Sequence, residues 1–470
     1  MKEWHYNGLA DLKTAENRKK TSGLTGNLLR LAWPMIVTQG AVALMQFADV
    51  WMVSSVGTVA LAAIAPAALM VAAVSTLGSG YLTAVHALVG QAHGSGETSR
   101  CGQLAWQGIW SALGIGILIL ALLPTTPYLF QAFGHAAEIR KLEVVYFEIC
   151  LFAILPQLIA YAVSAYFLVT GHPRKAMVGM LFAVALNFAL NYAFIHGKLG
   201  APKLGFAGAA WGTLIASCAY SALMLALFFY QRDARAKGVH RIAPRRADLR
   251  KMRRIGLPAG VQDSVELVSW GILLIILIGQ FGAEHLAAAS VLIRCMQLSF
   301  LPADGIGSAL LALVANSIGE NRFRQARAYA RIAFRLSAAY MGSVAILLFL
   351  FRDPIMRAFS DNPQVIAIGT QAMICVSLFQ LFDAMSVTYV HALQGAGDSA
   401  WPSVMNALLC LVILLGGGLI VIFKAPQLAS FGIWIAAALY IAAQGLAFWA
   451  RWRFGPWKLI ELQHSQIFMH

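Results

Sequence analysis

Long apolar runs recur along the whole chain, separated by short polar or basic stretches. Twelve of them reach about the 20 residues that a helix needs to cross a bilayer. They fall near 28–52, 60–90, 104–124, 144–168, 176–196, 205–230, 257–281, 286–316, 332–352, 364–392, 402–424 and 428–450. The pattern predicts an all-α polytopic membrane protein with twelve transmembrane helices.

The halves repeat. A shift of 225 residues lays GTVALAA (57–63) on GAEHLAA (282–288). It also matches Gly80 with Gly305, Ala84 with Ala309 and Gly94 with Gly319. Pro34 and Pro258 align within one residue of the same shift. Six spans per half is an even number, so both halves have one orientation and are related by an axis along the membrane normal. The expected organisation is a cytoplasmic arm (1–27), an N-terminal six-helix bundle (28–230), a basic linker (231–254), a C-terminal six-helix bundle (255–450) and a cytoplasmic tail (451–470). Two pseudo-symmetric bundles around a cleft suit an alternating-access transporter. Channels also repeat, so architecture leaves that choice open.

Composition agrees: 59% of residues are hydrophobic, 12% are charged and the mean hydropathy is +0.70. Soluble domains carry about 25% charged residues. The formal charge of +15 does not point to nucleic acid, because the basic residues sit between apolar runs and form no continuous face. With a cytoplasmic N-terminus, 27 Lys and Arg lie on the cytoplasmic side, 7 on the other, and Arg294 inside a span. The positive-inside rule then places both termini in the cytoplasm and the chain in the inner (plasma) membrane. No short apolar segment with a cleavage site follows the polar residues 1–27, so the first run is expected to stay as a helix. The six cysteines lie in or beside apolar runs with no CxxC pair, and are expected to pack as thiols without a disulfide, metal or cofactor.

The polar residues inside the spans carry the candidate chemistry. VQDSVELVSW (261–270) holds the only charges of its apolar run, Asp263 and Glu266, three residues apart and so on one side of a helix. A carboxylate at the centre of a span costs about 2.5–3.5 kcal/mol on insertion scales, so it should face the protein interior or a wet cavity. Two acids together suit a proton or a hard cation such as Na⁺. Glu266 lies about 18 Å beyond Arg254, and Asp383 about 18 Å before the turn GAGD (395–398), so the two can meet at one level. Asn187 lies about 18 Å beyond Lys175, Asn191 one turn further, and Asp49 about 28 Å beyond Arg30. One polar cluster per half is expected.

Structural roles stand beside these. Asp263 could simply bond a neighbouring helix, and Asp49 could be a solvated acid at the membrane edge. Arg294 and Asp304 are candidates for a salt bridge, Arg294 with a C-half acid, or for substrate contact. His86 and His391 are packed histidines or proton relays. GAGD matches the GxGD of intramembrane aspartyl proteases, but their YD partner is missing; FD (382–383) lies on the same span. No GxxxxGK[ST] loop is present, so neither an enzyme nor ATP drive is expected.

Several stretches resemble the multidrug and toxic compound extrusion (MATE) family. They are LAWPMIVTQGAVALMQFADVWMVSSVGTVALAA (31–63), LVGQAHGSGE (88–97), LNFALNYAFI (186–195) and GFAGAAWGT (205–213). The resemblance spans nearly all of 28–450. It implies two six-helix bundles and export of organic cations in exchange for H⁺ or Na⁺. Asp49, Asn187 and Thr213 match the family's N-half polar cluster; Asn191 stands where members of the DinF type carry an aspartate. Glu266 and Asp383 match the C-half acids of the NorM type, which makes the chain NorM-like. Asp263 and Arg294 are outside the family's pattern. The expectation is a secondary active efflux antiporter with small cationic substrates, embedded in lipid, without nucleic acid, acting as a monomer. The alternative is a flippase for lipid-linked oligosaccharides, whose cavity would need more basic residues than Arg294.

Overall fold

Inside a bilayer every backbone N–H and C=O must find an internal partner, so apolar runs of this length fold as helices. The computed structural model describes residues 23–131 and 133–458. Twelve helices long and apolar enough to span a membrane lie among them. In the first half these are α1 (Gly23–Ser54), α2 (Thr58–Gly94), α3 (Thr98–Gln131), α4 (Ala137–Val169), α5 (Pro173–His196) and α6 (Phe206–Phe229). The second half has α7 (Arg246–Phe281), α8 (Ala283–Gly319), α9 (Phe323–Leu350), α10 (Pro363–Gly395), α11 (Ala400–Lys424) and α12 (Pro426–Phe454). Residues 1–22 of the expected arm and 459–470 of the expected tail lie outside the described residues.

The helices outrun their apolar cores. α7 begins at Arg246, inside the stretch 231–254 expected as linker, because long basic stems can lie along a helix while their charges reach water. The rest of the linker is fastened to α3. Trp106, Gln107 and Trp110, on one face of that helix, donate to Val239 O (2.5 Å), Ala243 O (3.1 Å) and Ile242 O (2.7 Å). Arg100 pairs with Asp248 at 3.0 Å. Proline inside α1, α2, α4, α7 and α8 removes an N–H from each ladder. α7 and α11 each widen into a π segment, Leu273–Ile278 and Cys410–Leu415.

Residues related by the repeat meet each other. Gly90 faces Ala315, its own partner at a shift of 225, so the pseudo-two-fold axis passes between them. Gly94 lies against the Asn316 backbone, and Gly319 against that of Gln91, a reciprocal pair at the same shift. A Cβ at Gly80 would lie 2.7 Å from Gly260 Cα, and one at Gly305 2.8 Å from Ile36 N. Small residues thus let α2 meet α7 and α8, and α1 meet α8, backbone to backbone. These contacts all lie in the half of the helices nearer the linker. Among the described glycines none joins the two bundles on the other side.

Candidate functional site

In the N-terminal bundle, α1 and α5 bring the expected polar residues together. Asn191 Nδ2 donates to Asp49 Oδ1 at 2.5 Å and to Asn187 Oδ1 at 3.2 Å. Asn187 Nδ2 donates to Thr213 Oγ1 on α6 at 3.2 Å. Gly212, beside Thr213, leaves room for the Asn191 side chain, which a Cβ there would strike. Asp49 is buried, with 9% of its surface exposed, and not a solvated acid at the membrane edge. Its depth along α1 misleads because α5 packs over it and supplies the amide. The cluster extends to residues that the pattern of charges did not flag. Ser217 donates to Thr213 O at 2.6 Å, and Gln157 on α4 donates to Ser217 Oγ at 3.0 Å.

In the C-terminal bundle Glu266 is held by neutral groups. Its Oε2 accepts from Asn406 Nδ2 (3.3 Å) on α11 and Gln444 Nε2 (3.5 Å) on α12. Tyr440 donates to Asn406 Oδ1 at 2.8 Å, and Ser386 on α10 donates to Gln444 Oε1 at 2.7 Å. Asp383 stands three residues before Ser386, within Coulombic range of Glu266. Gly445 makes this possible: a Cβ there would lie 2.5 Å from Phe382 O, so α10 and α12 touch at the level of the acids. Among the described residues no Lys or Arg pairs with Glu266 or Asp383. Asn406, Tyr440, Gln444 and Ser386 were missed because they are neutral. A signal existed: Tyr440 and Gln444 are four apart in an apolar run, on one helical face.

Asp263 and Glu266 part company. Three residues apart means about 60° around a helix. Glu266 turns into its own bundle, while Asp263 turns to α2, where a Cβ at Gly80 would lie 2.6 Å from its Oδ2. The two remain within Coulombic range. Arg294 forms no salt bridge with a C-half acid: it is exposed, and its hydrogen bond goes to Gln297 on its own helix at 3.4 Å. The expected pairing fails because α8 turns position 294 away from the acids. Asp304 instead meets His391 Nε2 at 3.5 Å and accepts from Gln39 of α1. His86 is buried, with its ring edge against Tyr161. Asp398 of the GAGD turn pairs with Arg451 at 2.8 Å.

Twelve helices in two pseudo-symmetric bundles, each with a polar cluster inside, define a polytopic α-helical membrane protein. The MatE family model matches residues 34–193 and 263–419, one stretch in each half. The chain belongs to this family, multidrug and toxic compound extrusion. A probable multidrug resistance protein NorM of Chromobacterium violaceum is 29% identical over 427 residues, covering 88% of this chain and 90% of that protein. The multidrug resistance protein MdtK of Photorhabdus laumondii is 26% identical over 452 residues, covering 93% and 98%. The fold matches a MOP superfamily transporter from Pyrococcus furiosus with a TM-score of 0.85, at 21% identity over 93% of this chain and 97% of that one. It equally matches an outward-facing multidrug resistance MATE family transporter, with a TM-score of 0.85 at 20% identity and the same coverage.

Proposed function

We propose that this chain is a secondary active efflux antiporter that exports organic cations in exchange for H⁺ or Na⁺ by alternating access. It lies in the inner (plasma) membrane with both termini and the linker in the cytoplasm. The observation that carries the reading is Glu266. It is a carboxylate inside a spanning bundle, solvated by Asn406 and Gln444, beside a second acid, Asp383, with no basic partner among the described residues. Such a group needs a counter-charge, and an external cation can supply it.

In the outward-open state Glu266 and Asp383 take a cation from outside, and the organic cation leaves. Ion and substrate bias one two-state element in opposite directions, which makes their movements obligatory to each other. Each charge moved across 100 mV is worth about 2.3 kcal/mol, roughly fiftyfold accumulation per unit exchanged. The close glycine contacts between the bundles all lie on the linker side, which suits a cleft that opens away from it. Asp263 faces the other bundle and is better placed to sense the approach of the two halves than to share an ion with Glu266.

The test is efflux of a fluorescent organic cation from proteoliposomes under a pH gradient or a Na⁺ gradient imposed separately, with Glu266→Gln and Asp383→Asn beside the wild type. One gradient should drive efflux in the wild type and neither in the variants. Wild-type rates in both variants would remove the acids from the mechanism.

A further inference from the structure

Beyond the two polar clusters, one more ionisable group sits where the bundles touch. His391 Nδ1 lies 2.8 Å from Val387 O. A carbonyl can only accept, so Nδ1 carries its hydrogen. In the neutral ring Nε2 is then a bare acceptor, and it faces Asp304 Oδ1 at 3.5 Å. Two acceptors at that distance repel. A single proton between them turns the contact into a charge-assisted hydrogen bond, whichever atom holds it. The other oxygen, Oδ2, accepts from Gln39 Nε2 on α1, across the seam between the bundles. With one proton on the pair, each contact from Gln39 Nε2 to Val387 O joins a donor to an acceptor.

The surroundings are shaped for this arrangement. A Cβ at Gly307 would lie 2.5 Å from His391 Nδ1, so only glycine admits the ring. Gly305, two residues earlier, admits α1 and with it Gln39. The repeat shows that the feature is one-sided. At the shift of 224 that relates Pro34 to Pro258, Gln39 corresponds to Asp263, which on the other side of the axis rests against Gly80 and not against a histidine.

We propose that Asp304 and His391 bind one proton, at a site distinct from Glu266 and Asp383, and that this proton clamps the linker-side seam through Gln39. When it leaves, Nε2 and Oδ1 repel, the carboxylate turns from the position that Gln39 reaches, and the halves are freer to part. Other titratable groups reach the pair from every side. His86 of α2 lies toward His391, Tyr161 of α4 and Asp263 of α7 lie toward Asp304, and Tyr340 of α9 packs beside Ala303 and Val387. The use made of the proton rests on the antiporter reading; its binding does not.

The experiment reads the seam directly. Spin labels at Ser95→Cys and Glu320→Cys, at the linker-side ends of α2 and α8, are placed in the full chain with its six native cysteines replaced by serine. Distances are measured in lipid nanodiscs without substrate, from about pH 5 to about pH 8, where a histidine ordinarily changes charge. The ratio of short to long distances should fall by up to about tenfold per pH unit, the limit for one linked proton. Asp304→Asn and His391→Gln each supply a fixed N–H to the contact, so both should hold the seam closed at every pH. Glu266→Gln should lose coupled efflux and keep the pH response. A pH-independent wild type, a surviving response in either seam variant, or its loss in Glu266→Gln would overturn the proposal. A seam that stands open in both seam variants would do the same, since that is what a merely structural contact predicts.

Discussion

At the scale of single residues, the neutral neighbours of Glu266 matter as much as the acid. A hydrogen bond to a charged group contributes about 1.5–3 kcal/mol. These donors favour the bare carboxylate over its ion-bound form, so Gln444→Leu and Asn406→Leu should lower the concentration of coupling ion needed for half-maximal efflux by about ten- to a hundredfold. The maximal rate in saturating ion should change much less, and a titration of efflux against external ion measures both. An unchanged midpoint would show that the amides do not tune the acid. Arg294 makes the opposite prediction. Among the described residues it has no acidic partner, so Arg294→Ala should change stability no more than an ordinary surface substitution does, about ±0.5 kcal/mol, as a thermal melt would read. Efflux of an anionic or zwitterionic probe compared with a cation then shows whether the guanidinium meets substrate. Charges inside spans were legible in the sequence because they are rare there. Their partners were not: Asn406, Ser386 and Gln444 are unremarkable polar residues until three helices converge on Glu266.

At the scale of elements, glycine sets how closely helices approach. Gly445 lets α12 lie against the α10 backbone at Phe382, next to Asp383. Gly445→Val should push these helices apart and cost about 1–3 kcal/mol by overpacking. The measurable signs are a lower unfolding temperature together with lost coupling, while Gly114→Val, where nothing stands within 4 Å, should show neither. A drop in the second variant as large as in the first would mean that the effect is general to helical glycines. The helices themselves followed from apolar run length, and their ends did not. α7 reaches back to Arg246 because a basic segment can be helical outside the apolar slab, and run length is blind to that.

At the scale of the whole molecule, topology is the testable claim. The basic linker and the ends of α2 and α8 share one side, which the charge distribution assigns to the cytoplasm. In intact cells a membrane-impermeant thiol reagent should label a cysteine at Asp361, in the turn before α10. It should spare one at Ser95 until the membrane is opened. The reverse pattern would invert the orientation and, with it, the direction of transport.

What the sequence by itself determined is one-dimensional: twelve apolar runs, their even division by a repeat of 225 residues, the sidedness of charge, and the acids that a bilayer makes conspicuous. Lipid allows few backbone solutions, so run length and charge suffice for these. Only the tertiary structure decided which way each acid turns. A difference of about 60° around α7 sends Glu266 into a cluster of amides and Asp263 to the opposite bundle. It also decided that Asp304 meets His391 and Gln39, three residues from three helices that no spacing in the sequence links. Helix rotation and close approach are set by packing against neighbours, and the glycines that permit the approach carry no side chain to announce it.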